Sequence, residues 1–209
     1  MTYRLAIFDF DGTLADSQAW FLRHLNPMAD RFGFRRVDEA EVEALRGLPN
    51  REIIRRLQVP MWKLPRIARH MRGLVAREAS TIPLFEGVGE MISGLRDGGV
   101  AVAIVSSNAE ANIRTILGES VAAMVDHYEC GASLFGKASK FRKAARMAGV
   151  APHEAIAIGD ESRDIEAAKE AGMASASVAW GYADPDLLAR YEPTLAFASV
   201  DEIAERLAG

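Results

Sequence analysis

The sequence predicts an α/β fold: a parallel sheet with helices on both faces, interrupted near its start by a small inserted α-helical unit. Three observations predict it. Short apolar runs recur along the chain, each stopped by glycine or polar residues. The segments between them show helical spacing and mostly end at a glycine, the usual stop just past a helix. Alternation of this kind makes the strands parallel and buries both faces of the sheet. Residues 15–81 break the alternation, with helical periodicity and no convincing strand.

The elements follow in order. Arg4-Leu-Ala-Ile-Phe8 is a short buried strand running into a turn at Asp9-Phe-Asp-Gly12. Helical patterns follow over 16–32, 37–45, 51–57 and 61–79, and Thr81-Ile-Pro83 returns the chain to the sheet. Residues 86–97 form a helix stopped by Gly98-Gly99, and Val100 to Val105 form the next strand. A helix over 109–117 stops at Gly118, and one near 139–148 stops at Gly149. Ala155 to Ile158 is a strand, 162–171 a helix stopped by Gly172, Ala174 to Ala179 a strand, and Thr194 to Ala198 a last strand. In such sheets ligands bind beyond the carboxyl ends of the strands, so the polar residues that follow these runs should converge.

Composition narrows the function classes. The 209 residues suffice for one core plus a small module, and 49% hydrophobic with 26% charged residues is ordinary for a folded chain. A net charge of −4 does not favour nucleic acid. No apolar run approaches membrane-spanning length, and the N-terminus lacks a signal-peptide layout. With a single cysteine, Cys130, these features lead us to expect a cytoplasmic protein. Four scattered histidines do not form a zinc site. Basic residues cluster between Arg46 and Arg77, as a solvated helical face or as a surface that attracts anions.

The chemistry concentrates at strand ends. Asp9 and Asp11 are two apart after the first strand, so both lie on one side of the chain. Two carboxylates this close repel, so one is protonated or a cation sits between them. A hard, oxygen-seeking cation is the natural partner, and Mg²⁺ is the common one near phosphates. Thr13 adds a hydroxyl, and Ser106, Ser107 and Asn108 follow the second strand, where Asn108 also suits a helix N-cap. Asp160 and Asp164 add carboxylates at another strand end. Lys137, placed before a helix N-terminus, makes electrostatic sense if it balances carboxylates or a phosphate. Together these groups suit phosphoryl transfer: a carboxylate nucleophile, cationic groups and hydroxyls on the phosphoryl oxygens, and a second carboxylate for proton transfer.

At this point the chain resembles the phosphatase branch of the haloacid dehalogenase superfamily, in particular its phosphoglycolate-phosphatase-like members. Phe8-Asp-Phe-Asp-Gly-Thr-Leu14 is similar to the first motif, Ala103-Ile-Val-Ser-Ser107 to the second, and Ile158-Gly-Asp-Glu-Ser-Arg-Asp164 to the fourth. Lys137 fits the third, with Lys140 as a competing assignment. Val178-Ala-Trp-Gly-Tyr182 is similar to a further shared segment. The resemblance implies a Rossmann-like core, residues 1–14 and 82–209, and a helical cap, residues 15–81. It implies Asp9 as nucleophile and Mg²⁺ ligand, and Asp11 as acid/base with its backbone carbonyl on the metal. Ser106 and Lys137 would hold the phosphate, and Asp160 with Asp164 would complete the metal site. Thr13, Ser107, Asn108 and the cap-loop Arg46 are the expected substrate contacts. The expected partner is a small phosphorylated metabolite, with no nucleic acid and no membrane, and the chain is expected as a monomer or homodimer.

Rival readings remain at this level. Gly131-Ala-Ser-Leu-Phe-Gly-Lys137 matches a P-loop up to its lysine, but Ala138 stands where Ser or Thr is required. A non-catalytic phosphate-binding module would share the carboxylates. Dehalogenases of the same superfamily do not need the second aspartate, so Asp11 favours phosphate chemistry. A phosphomutase would keep every motif.

Overall fold

The computed structural model describes residues 3–131 and 136–208. The P-loop-like stretch therefore falls largely on residues 132–135, outside the described residues. The strands are β1 (Leu5–Phe8), β2 (Ala101–Val105), β3 (His127–Glu129), β4 (Ala155–Gly159), β5 (Ala174–Val178) and β6 (Leu195–Phe197). They form one parallel sheet in the order β3-β2-β1-β4-β5-β6, with Leu5 of β1 in register with Ala101 on one side and Ala155 on the other. This is the doubly wound order, whose switch point lies beside the first strand.

The period of two along each strand divides the core. Ala6, Phe8, Val102, Ile104, Ile156 and Ile158 point to one face. There they meet α5 (Val88–Asp97), α6 (Glu110–Ala122) and α10 (Asp201–Leu207). Leu5, Ile7, Ala103, Val105, Ala155 and Ala157 point to the other, under α7 (Lys137–Ala148) and α8 (Ser162–Ala171). The near-continuous burial of these strands is why they read as apolar runs rather than as alternating ones.

Between β1 and α5 lie α1 (Gln18–Phe32), α2 (Glu39–Arg46), α3 (Asn50–Arg56) and α4 (Leu64–Glu78). Leu25, Met28, Phe32, Val37, Leu45 and Leu57 form an apolar cluster of their own there. Where the chain leaves and re-enters the sheet layer, its two passes run side by side: Asp16 N–H donates to Pro83 O at 2.9 Å and Phe85 N–H to Leu14 O at 3.0 Å.

Four elements depart from the sequence expectation. β3 is an edge strand of three half-buried residues, His-Tyr-Glu, too short and polar to read as an apolar run. The segment expected to end at Gly118 breaks there, at φ 72°, but resumes a helical turn to Ala122. Short α9 (Pro185–Ala189) and α10 were not expected. Among the described residues, no helix is long and apolar enough to cross a membrane.

Candidate active site

β1 is flanked by β2 and β4, so Asp9, Ser106 and Asp160 leave neighbouring strands at the same edge of the sheet. The Asp9 carboxylate is fixed at both oxygens. Oδ1 accepts the Phe10 N–H at 2.8 Å, and Oδ2 lies 2.8 Å from Lys137 Nζ. Lys137, the first residue of α7, also donates to Asp164 Oδ1, while Asp164 Oδ2 accepts the Glu161 N–H at 3.1 Å. Asp160 is fully buried, with Oδ1 taking the Thr13 hydroxyl at 2.9 Å and Oδ2 the Tyr182 N–H at 2.8 Å. Room for these carboxylates comes from glycines. Gly12 adopts φ 81°, and a Cβ there would overlap Asp160 and the Tyr182 ring; at Gly159 it would overlap Asp164.

Carboxylate oxygens of Asp9, Asp160 and Asp164 lie within 4.8 Å of one another, and the three residues are 5%, 0% and 2% exposed. Burial, followed by the charges of Glu161, Asp9 and Asp164, pushes the Asp160 carboxyl well above its ordinary range. Burial likewise lifts Asp164 to about 6, against the pull of Lys137. Burial alone would lower the Lys137 ammonium, but Asp164 and Asp9 outweigh it and hold it above its usual value. One lysine against three buried carboxylates leaves an excess of negative charge. An all-oxygen donor set of this charge and spacing fits a hard divalent cation such as Mg²⁺.

Asp11 lies apart from that group. Its half-buried carboxylate faces a cavity of about 420 Å³, beside Asn108 Nδ2 at 3.4 Å and the Ser17 hydroxyl. Burial, then the neighbouring Asp9 charge, raises it from 3.8 to about 6. Of the two ways to relieve the Asp9–Asp11 repulsion, a proton on one carboxylate or a cation between them, the raised Asp11 carboxyl fits the proton. The carboxylates that group with Asp9 are Asp160 and Asp164, and the Asp11 side chain belongs to the cavity.

The other expected residues sort as follows. Ser106, Ser107 and Asn108 line the cavity beside Asp9 and Asp11. Thr13 does not: it is 1% exposed and spends its hydroxyl on Asp160, so it supports a carboxylate rather than touching a substrate. Of the competing lysines, Lys137 meets the carboxylates. Lys140 instead donates to the carbonyls of Ser106, Glu129 and Gly131, tying the ends of β2 and β3 together. Arg46 reaches the cavity wall, but its guanidinium donates to the Tyr182 carbonyl at 3.1 Å and the Gly181 carbonyl at 3.3 Å. Its own carbonyl accepts the Asp184 N–H at 2.9 Å, so Arg46 fastens the helical insertion to the sheet layer. From the basic cluster, Arg46 and Arg72 line the cavity, while Arg51, Arg55, Arg56, Lys63, Arg66, Arg69 and Arg77 do not.

Sequence reasoning missed Ser17, Tyr182 and Asn112. Ser17 occupies the N-cap position of α1 but makes no side-chain cap bond; its hydroxyl lies 2.8 Å from the Tyr182 hydroxyl. Asn112 bridges the Asn108 side chain and the Arg72 carbonyl, at 3.0 and 3.1 Å. The fold brings Ser17 to Tyr182 and Asn112 to Arg72, while Asn112 and Asn108 meet locally, four residues apart.

A profile of the haloacid dehalogenase-like hydrolases matches residues 6–178. The chain belongs to that family. It is 30% identical over 179 residues, 85% of its own length and 84% of the relative's, to a phosphoglycolate phosphatase of Synechococcus elongatus. It is 29% identical over 213 residues, 98% of its length and 72% of the relative's, to the tyrosine-protein kinase PtkA of Mycobacterium tuberculosis. A haloacid dehalogenase-like family hydrolase from Streptococcus pneumoniae superposes with a TM-score of 0.80 at 19% identity, covering 98% of each chain, a likeness of fold.

Proposed function

We propose that this hydrolase cleaves a small phosphate monoester through an aspartyl-phosphate on Asp9, with Mg²⁺ held by Asp9, Asp160 and Asp164 and by the Asp11 backbone carbonyl. The reading rests on one arrangement. A carboxylate pinned at both oxygens stands beside a lysine and two buried aspartates, with a second carboxylate, raised to about 6, on the cavity side. When bound, Mg²⁺ would offset the charge of the carboxylates and of the phosphoryl group.

The chain's own groups divide the work. Asp9 attacks phosphorus, and the ester P–O bond breaks with its electrons passing to the leaving oxygen. Asp11, protonated at the start, gives that oxygen its proton; a carboxyl near 6 is suited to both giving and taking one near neutrality. Water then attacks the phosphoryl group, Asp11 takes its proton, and Asp9 is released with inorganic phosphate. Ser106 and Lys137 hold the phosphoryl oxygens in both steps. Residues 15–81 serve as a cap that closes the cavity over Asp11 and excludes water during the first step.

The name of the Synechococcus relative makes 2-phosphoglycolate an obvious compound to assay. The test is hydrolysis of p-nitrophenyl phosphate by the purified protein with Mg²⁺. The reading expects turnover that EDTA removes and added Mg²⁺ restores, and none from a folded Asp9→Asn variant. Wild-type turnover by Asp9→Asn would end it.

A further inference from the structure

The cavity beside Asp9 and Asp11 carries polar groups at the strand ends and from Gln18, Arg46, Asn50, Arg72, Glu161 and Arg163. Its remaining wall comes from the helical insertion, including Leu22, Leu25, Leu45, Leu48, Ile53 and Met71. Those six side chains belong to the insertion's own apolar cluster or pack against it, so the cavity runs from the carboxylates into that cluster. Much of the charged rim is already paired. Arg46 is spent on the Gly181 and Tyr182 carbonyls, Asn50 Nδ2 donates to Glu161 at 2.9 Å, and Glu161 pairs with Arg163. Arg72 also lines the cavity; its backbone carbonyl accepts from Asn112, which also donates to Asn108.

A leaving group as small as glycolate would leave most of about 420 Å³ unfilled, the space among the leucines of the insertion included. A volume of this size and lining is that of a pocket for an organic group. We propose that the substrate is a phosphomonoester whose alcohol carries an apolar group, a medium-length alkyl chain or an aromatic ring, seated among the leucines of the insertion. This rests on the phosphatase reading above and specifies its substrate class.

The test measures kcat/KM with Mg²⁺ for ethyl, butyl, hexyl and octyl phosphate, 1-naphthyl phosphate and 2-phosphoglycolate. Burial of each added methylene should raise kcat/KM roughly two- to fourfold from ethyl to hexyl. Hexyl and naphthyl phosphate should then exceed 2-phosphoglycolate by about tenfold or more. Val42→Trp, which adds bulk to the cavity wall, should move the optimum to shorter chains, with a thermal melt to show that the variant is folded. A flat alkyl series, or 2-phosphoglycolate ahead of hexyl phosphate, overturns the apolar assignment while leaving the phosphatase reading standing. Failure to hydrolyse any phosphomonoester, p-nitrophenyl phosphate included, overturns the phosphatase reading and this proposal with it.

Discussion

Asp11→Asn should make the metal-free protein more stable and the Mg²⁺-loaded enzyme slower. In the fold, burial and the Asp9 charge raise this carboxyl from 3.8 to about 6. A raised acid pKa means the charged form is disfavoured in the folded state, so the cost is present above about 6. It declines as pH falls through that value and is gone below the unfolded value near 4. At about 1.4 kcal/mol per pH unit the ceiling is roughly 3 kcal/mol. Water on the cavity side screens part of it, so about 1–2 kcal/mol is the expected gain. For a chain of this size that is a rise in Tm of roughly 3–6 °C at pH 7.5. Asparagine keeps an oxygen to accept from Asn108 Nδ2, so the contact at 3.4 Å survives. Loss of the proton-transfer group should lower kcat by roughly 10²–10⁴. The assay is thermal melting of both proteins in EDTA at pH 7.5, 6 and 4.5, beside steady-state kinetics with Mg²⁺. A variant no more stable than wild type at pH 7.5, or a gain that does not shrink on acidification, refutes the reasoning.

Four further outcomes follow from the contacts. Thr13→Val removes the buried hydroxyl that props Asp160 at 2.9 Å. Mg²⁺ titration of activity should show roughly 10–100-fold weaker activation, with KM at saturating Mg²⁺ little changed; a KM effect alone would return Thr13 to substrate contact. Lys137→Ala should lower kcat by roughly 10²–10³. Lys140→Ala should act mainly on stability, seen as a lower Tm, because its three partners are backbone carbonyls. Arg46→Ala should raise KM for alkyl and aryl phosphates alike, because it frees the insertion from Gly181 and Tyr182 rather than removing a contact to one substrate. A KM rise confined to anionic substrates would contradict that role.

The sheet was legible because β1, β2 and β4 are buried on both faces and so appear as unbroken apolar runs ending in polar residues. β3 was not, because an edge strand of His, Tyr and Glu carries no such signal. At the site, the residues directly following strands were found, since chain direction alone puts Asp9, Ser106 and Asp160 at one edge. What could not be read was side-chain direction. Thr13 and Asp11 both sit in the same turn as Asp9, yet Thr13 turns inward to Asp160 and Asp11 outward to the cavity. Tyr182 was equally hidden: its main-chain N–H serves Asp160 and its hydroxyl meets Ser17, contacts 22 and 165 residues apart in sequence.

The central claim is that phosphate passes through a covalent bond to Asp9. A turnover mixture with Mg²⁺ and excess aryl phosphate, quenched in acid and treated with borohydride, converts an acyl phosphate to an alcohol that peptide mass spectrometry can locate. The account predicts reduction at Asp9, dependent on substrate and Mg²⁺, and none at Asp11, Asp160 or Asp164. Steady turnover with no reduced residue, or with reduction at Asp11 in place of Asp9, would contradict it.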